Sequence, residues 1–75
     1  MNYPQRMYSK TELGLLYFPD TTDGATARRH IMEWIKRCVP LWNELQRLGY
    51  KEHSQYFPPR QVSTIFEYLG EPGVE

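Results

Sequence analysis

ATARRHIMEWIKRC, residues 25–38, places apolar side chains at Ala27, Ile31, Trp34, Ile35 and Cys38. Their spacings of three, four and seven define one stripe of an α-helix, with Thr26, Arg29, Glu33, Lys36 and Arg37 on the opposite side. The pattern predicts a helix from about Asp23 to Cys38 that buries the stripe. Pro40 ends it and suits the first turn of a following helix, where a missing N–H is harmless. That third helix is expected over Leu41 to Leu48, burying Leu41, Trp42, Leu45 and Leu48, with Gly49 as its stop.

Upstream, Ser9 and Glu12 form a capping box, flanked by Tyr8 and Leu13 as a hydrophobic staple. A first helix is predicted from Lys10 to about Phe18, with Leu13, Leu16 and Tyr17 on one face and Pro19 ending it. Gly14 lies inside it. A mid-helix glycine costs about 1 kcal/mol relative to alanine, so its presence points to close approach by a neighbouring helix. Asp20, Thr21 and Thr22 form a turn with side chains suited to cap the next helix. Downstream, Tyr50 to Phe57 reads as a loop or a short extended segment, with Tyr56 and Phe57 pinning it to the fourth helix. Pro58 and Pro59 open that helix at about Arg60, and it carries Val62, Ile65, Phe66 and Leu69 as its stripe before Gly70.

At 75 residues the chain has room for one core, small enough that large aromatic side chains must supply much of its buried surface. Six Tyr, three Phe and two Trp do so. Residues 1–7 are read as a flexible arm, 8–72 as a single helical domain and 73–75 as a tail. Nine basic and nine acidic residues cancel, yet residues 1–40 hold an excess of two cations and the remainder an excess of two anions. Any basic face is therefore expected in the N-terminal half. The single Cys38 excludes an intramolecular disulfide and fits a reducing cytoplasm. No stretch has the length of a membrane span or the apolar region of an export signal.

Catalytic and metal-binding chemistry find no support. Cys38, His30 and His53 lack metal-ligand spacing, and a Cys38–His53 nucleophilic pair is undercut by the place of Cys38 on an apolar stripe. Asp20 and Asp23 are explained by capping, and there is neither a GxGxxG nor a P-loop. No enzyme activity, cofactor or small-molecule substrate is expected. There remains the cationic outer face of the second helix. Arginine pairs with guanine edges, and lysine and threonine suit phosphates, although Arg28 and Arg29 with Glu33 also match ordinary helix-surface pairing.

The segments YSKTELGLLYF, ATARRHIMEWIKR and GYKEHSQYFPPRQVSTIFEYLG resemble the MerR and excisionase class of winged helix-turn-helix proteins. Ser9, Glu12 and Gly14 match the first helix of that class, Arg28 and Arg29 the second, and Tyr56, Pro58, Val62 and Ile65 the exit from the wing. The turn at 18–22 is longer than in that class, and an extra helix precedes the wing. Tyr8 to Pro72 also resembles a family of short proteins of unknown function from gut anaerobes, through Thr11 to Leu13, Trp34 to Arg37, Gly49–Tyr50, Pro59 to Val62 and Leu69 to Pro72. That second resemblance implies fold boundaries and no activity.

These readings combine into an all-α, compact four-helix domain of helix-turn-helix type, with room for a short β hairpin wing at 50–57. The expected function is non-enzymatic DNA binding, as in a bacterial transcriptional or mobile-element regulator. Its candidate contacts are Thr26, Arg28, Arg29, Lys36, Arg37, Lys51 and Arg60. The alternative is a protein adaptor or a self-associating module using exposed aromatic edges.

Overall fold

A computed structural model of the chain describes residues 6–72. Its elements are β1 (Tyr8–Ser9), α1 (Lys10–Tyr17), α2 (Gly24–Arg37), α3 (Val39–Arg47), β2 (Tyr56–Phe57) and α4 (Pro59–Leu69). The domain is mostly α, with one two-stranded sheet among the described residues. The tail and all of the predicted arm except Arg6 and Met7 lie outside the described residues.

Ser9 caps α1 by accepting from the Glu12 N–H at 2.9 Å, and the Glu12 carboxylate takes a backbone hydrogen bond from Ser9 in return. The capping box therefore forms in both directions. Arg6 also pairs with Glu12 and lies 3.9 Å from the Tyr8 ring centroid, so the end of the predicted arm is held against the domain. For α2 the cap is Asp23 rather than the preceding turn cluster. One Asp23 oxygen accepts from the Ala25 N–H at 3.3 Å and the other from the Thr26 hydroxyl at 3.0 Å.

Cys38 ends α2 and begins α3, which starts two residues before the predicted Leu41 because Val39 and Pro40 take up its first turn. The end of α3 is a Schellman motif: Tyr50 N–H reaches Leu45 O at 2.9 Å and Gly49 N–H reaches Gln46 O at 3.1 Å. Gly49 adopts a φ of 89° there, a conformation that side-chain-bearing residues rarely tolerate.

The sheet departs from the expected hairpin. Tyr56–Phe57 pairs antiparallel with Tyr8–Ser9, in the register Tyr8 to Phe57 and Ser9 to Tyr56. A further bond from Lys10 N–H to Gln55 O at 2.8 Å extends the pairing. Two-residue strands are too short to show a period-2 pattern, so periodicity alone does not separate loop from strand in this segment.

The core joins all four helices and both strands through Tyr8, Leu13, Ile31, Ile35, Leu41, Leu45, Tyr50, Phe57, Val62, Ile65 and Phe66. Each fully buried aliphatic or aromatic side chain contributes on the order of 1.5–3 kcal/mol relative to exposure. The predicted stripe of α2 is buried at Ala27, Ile31 and Ile35, but Trp34 is 43% exposed. It lies at the edge of the stripe and packs edge-on against Phe18 at 4.7 Å and Tyr17 at 6.3 Å instead of entering the core.

Helices α1 and α2 meet at Gly14. A Cβ added there would lie 2.5 Å from the Ala27 carbonyl oxygen and 2.7 Å from its carbon, both backbone atoms. At Gly24 the corresponding obstacle is the movable Thr11 Cγ2 at 2.8 Å. Gly14→Ala is therefore expected to destabilise the domain by about 1–3 kcal/mol despite the better helix propensity of alanine, and by more than Gly24→Ala. Urea denaturation of the two variants checks this ordering.

Tyr17 ties the end of α1 to that of α4 by donating its hydroxyl to the Gly70 carbonyl. Burial, aided by the charge of Glu71, raises the Tyr17 phenol above the ordinary tyrosine range. The folded state thus keeps this proton at pH values where the unfolded chain releases it. The stabilising effect is intact below about pH 10 and declines as pH rises beyond it. Wild-type stability is expected to fall more steeply than that of Tyr17→Phe between about pH 9 and pH 11, as followed by denaturation midpoints.

Candidate functional site

The seven candidate residues occupy three elements. Thr26, Arg28, Arg29, Lys36 and Arg37 belong to α2, Lys51 to the loop between α3 and β2, and Arg60 to the first turn of α4. Arg29, Lys36, Arg37, Lys51 and Arg60 are exposed, whereas Thr26 and Arg28 are half-buried. Thr26 donates its hydroxyl proton to the Asp23 cap. Arg29 and Lys36, seven residues apart, stand on one stripe with about 10 Å of axial rise between them.

The loop and α2 meet at Glu52. Lys36 Nζ lies 3.4 Å from Glu52 Oε2 and 5.6 Å from the centroid of the Trp42 ring. The Trp42 ring meets Tyr50 edge-on at 5.4 Å. Across Tyr50, Lys10 Nζ sits 4.8 Å from that ring's centroid and donates to the Glu52 carbonyl at 3.1 Å. Lys10 and Lys36 thus reach one loop residue from two helices.

Lys10 is 2% exposed and is not among the candidates that the sequence suggests. As the first residue of α1 it reads as an ordinary surface lysine; in the fold its Nζ lies 4.8 Å from the Tyr50 ring centroid and 5.9 Å from that of Phe57, the latter brought in by the β1–β2 pairing. Desolvation, then the nearby charges of Arg28 and Lys36, hold its ammonium below the ordinary lysine range, with Glu52 opposing. Burial likewise raises the Tyr50 phenol, Glu52 adding to the effect and Arg28 countering it. Arg28, Lys10, Lys36, Tyr50 and Glu52 therefore form one electrostatic neighbourhood, a grouping without a local sequence motif.

On the other side of the loop, Lys51, Ser54 and Tyr56 line a surface pocket of about 210 Å³ with Gly49, Pro58 and Gln61. Ser54 closes the turn here, its hydroxyl oxygen accepting from Tyr56 N–H at 3.1 Å. Elsewhere, His30 stacks at a tilt on Phe18, with 5.3 Å between the ring centroids. Among the described residues no three His, Cys, Asp or Glu side chains gather to hold a metal ion, and no helix is long and apolar enough to cross a membrane.

A family model described as Domain of unknown function (DUF4248) matches residues 4–72. No curated protein and no solved structure matches the chain.

Proposed function

The chain belongs to this family of domains of unknown function, membership assigns no activity, and we propose that the protein binds DNA without enzymatic chemistry, as a helix-turn-helix-like cytoplasmic regulator would. The observation that carries this reading is the meeting of α2 with the 50–55 loop, where Glu52 touches Lys36 and Lys10. A helix and an adjoining loop side by side are the parts a winged helix-turn-helix sets against a duplex, helix in the major groove and loop along the backbone.

In this reading Arg29 and Lys36 meet base edges or phosphates from one stripe. Arg28, Arg37, Lys51 and Arg60 hold the backbone, and Thr26 completes the first turn of the reading helix. Tight Gly14 packing keeps α1 rigid against α2. With no net charge on the molecule, long-range attraction is weak and the local cations must supply the affinity. Non-specific binding in the range of about 10⁻⁴ to 10⁻⁶ M is expected near physiological salt, tightening as salt is lowered.

Fluorescence anisotropy of a labelled random-sequence duplex, titrated at two salt concentrations, tests the proposal. The double variant Arg29→Ala/Lys36→Ala should bind more weakly and show a salt slope shallower by up to about 2. An unchanged slope removes both residues from the interface. Absence of wild-type binding at low salt overturns DNA binding altogether.

Exposed Trp34, backed by Phe18 and Tyr17, favours a second reading, in which the domain docks on a protein or on its own copy through an aromatic anchor. Self-association would then be salt-insensitive and abolished by Trp34→Ala. A strict monomer in sedimentation at high concentration defeats the self-association form.

A further inference from the structure

The outer edge of β2 is closed by a single hydroxyl. Lys10 N–H bonds to Gln55 O at 2.8 Å, and in the same register Tyr8 faces Phe57 and Ser9 faces Tyr56. Hydrogen-bonded pairs alternate along an antiparallel ladder, so the N–H and C=O of Ser9 and Tyr56 point away from the partner strand. On β1 that outward edge is used by α1, because Ser9 is its cap and Glu12 takes the Ser9 N–H. On β2 the Ser54 hydroxyl serves both groups of Tyr56, accepting from its N–H at 3.1 Å and donating to its carbonyl at 2.9 Å. A strand edge held in this way is a template for another extended chain.

A pocket adjoins that edge, with Ser54 and Tyr56 among the residues lining it. Its volume of about 210 Å³ is below the roughly 300–1,000 Å³ of small-molecule sites and suits one side chain. Its charge is positive. Lys51 lines it and no carboxylate does, and among the described residues none pairs with Lys51. Pro58 and Gln61 bring the start of α4 to the same pocket. That helix has no side-chain cap, and its first bond runs from Val62 N–H to Pro58 O, which leaves the Arg60 and Gln61 N–H groups for an anion. Gln61 is 4% exposed; its Nε2 reaches the Leu48 carbonyl at 3.4 Å, while its Oε1 has no hydrogen-bond partner. A buried acceptor without a partner calls for a donor, which a peptide carries and a phosphodiester does not.

We propose that the β2 edge and this pocket dock an extended, acidic segment of a protein partner by strand addition. One partner residue exchanges main-chain hydrogen bonds with Tyr56, taking over both groups from the Ser54 hydroxyl. An Asp or Glu side chain of the segment enters the pocket, where its carboxylate meets Lys51 and caps α4. A partner N–H supplies Gln61 Oε1 with its missing donor. Recognition by one paired residue and one charge makes the complex weak and fast to exchange. The inference goes beyond DNA binding and does not depend on it.

The probe is an acetylated, amidated pentapeptide with glutamate at its centre between threonine and valine residues. It is titrated in the low-millimolar range into isotope-labelled protein, followed by the amide NMR spectrum. The signals of Ser54, Tyr56 and Gln61 are expected to shift while those of α2 stay in place. Glutamine in place of the central glutamate should weaken binding about two- to fivefold, the size of an exposed charge contact, and Lys51→Ala should abolish that preference. N-methylation of the peptide, one position at a time, should cost about fivefold at the residue paired with Tyr56, the loss of one main-chain hydrogen bond.

Absence of shifts around Tyr56 overturns the proposal. So does a glutamate preference that survives Lys51→Ala. Tolerance of N-methylation at every position reduces the contact to a surface charge pair and overturns strand addition. Inorganic phosphate that moves the same signals as strongly as the peptide makes the pocket a simple anion site, with the same consequence. Core signals that coincide in wild type and Lys51→Ala ensure that a lost preference is not a lost fold.

Discussion

A pairing of two residues with two others closes this fold. Tyr8–Ser9 and Tyr56–Phe57 are separated by α1, α2 and α3, and their antiparallel contact imposes a loop-closure cost that local helix formation cannot meet. The compensation is burial. Tyr8 and Phe57, directly opposite each other, are two of the largest fully buried side chains in the domain, and Lys10 is drawn in beside them. Without that contact, Tyr50 and Phe57 would not cover Lys10, and the 50–55 loop would not lie against α2.

The crossing of α1 and α2 is the second constraint, and it works through absence. Gly14 brings the backbones together so closely that a methyl group would collide with a carbonyl. The intrinsic penalty of glycine in a helix is offset by the apolar surface this approach removes from water. A rigid α1–α2 pair is also what any surface-reading role for α2 requires, since side chains on a helix can be no better placed than the helix itself.

Electrostatics divides the cations into two groups with different prospects. Arg29, Arg37, Lys51 and Arg60 stand in water, where each charge is screened and individually weak. Lys10 is buried beside the Tyr50 ring, and the charges of Arg28, Glu52 and Lys36 bear on its ammonium. The first group suits diffuse contact with a polyanion. The second gathers at Glu52, whose carbonyl takes the Lys10 ammonium and whose carboxylate pairs with Lys36, so that α1 and α2 both reach the 50–55 loop.

Much of the fold is legible in the chain itself. Helical periodicity exposes the buried stripes of α2, α3 and α4; Ser9 with Glu12, Pro40, Gly49 and Pro59 mark helix ends; and Gly14 announces the close crossing. These are local signals, each set by backbone sterics or by hydrogen bonds within a turn, so a single sequence suffices to read them. The candidate cations of α2 are equally visible, because a helix face follows from spacing alone. Only the tertiary structure decided which distant groups meet. It paired β1 with β2 instead of folding a hairpin, left Trp34 at the surface despite its helical register, and buried Lys10 beneath Tyr50 and Phe57. It also brought Glu52 to Lys36. Those outcomes depend on the competition between chain entropy and burial across the whole molecule, for which no short stretch of residues carries a signature.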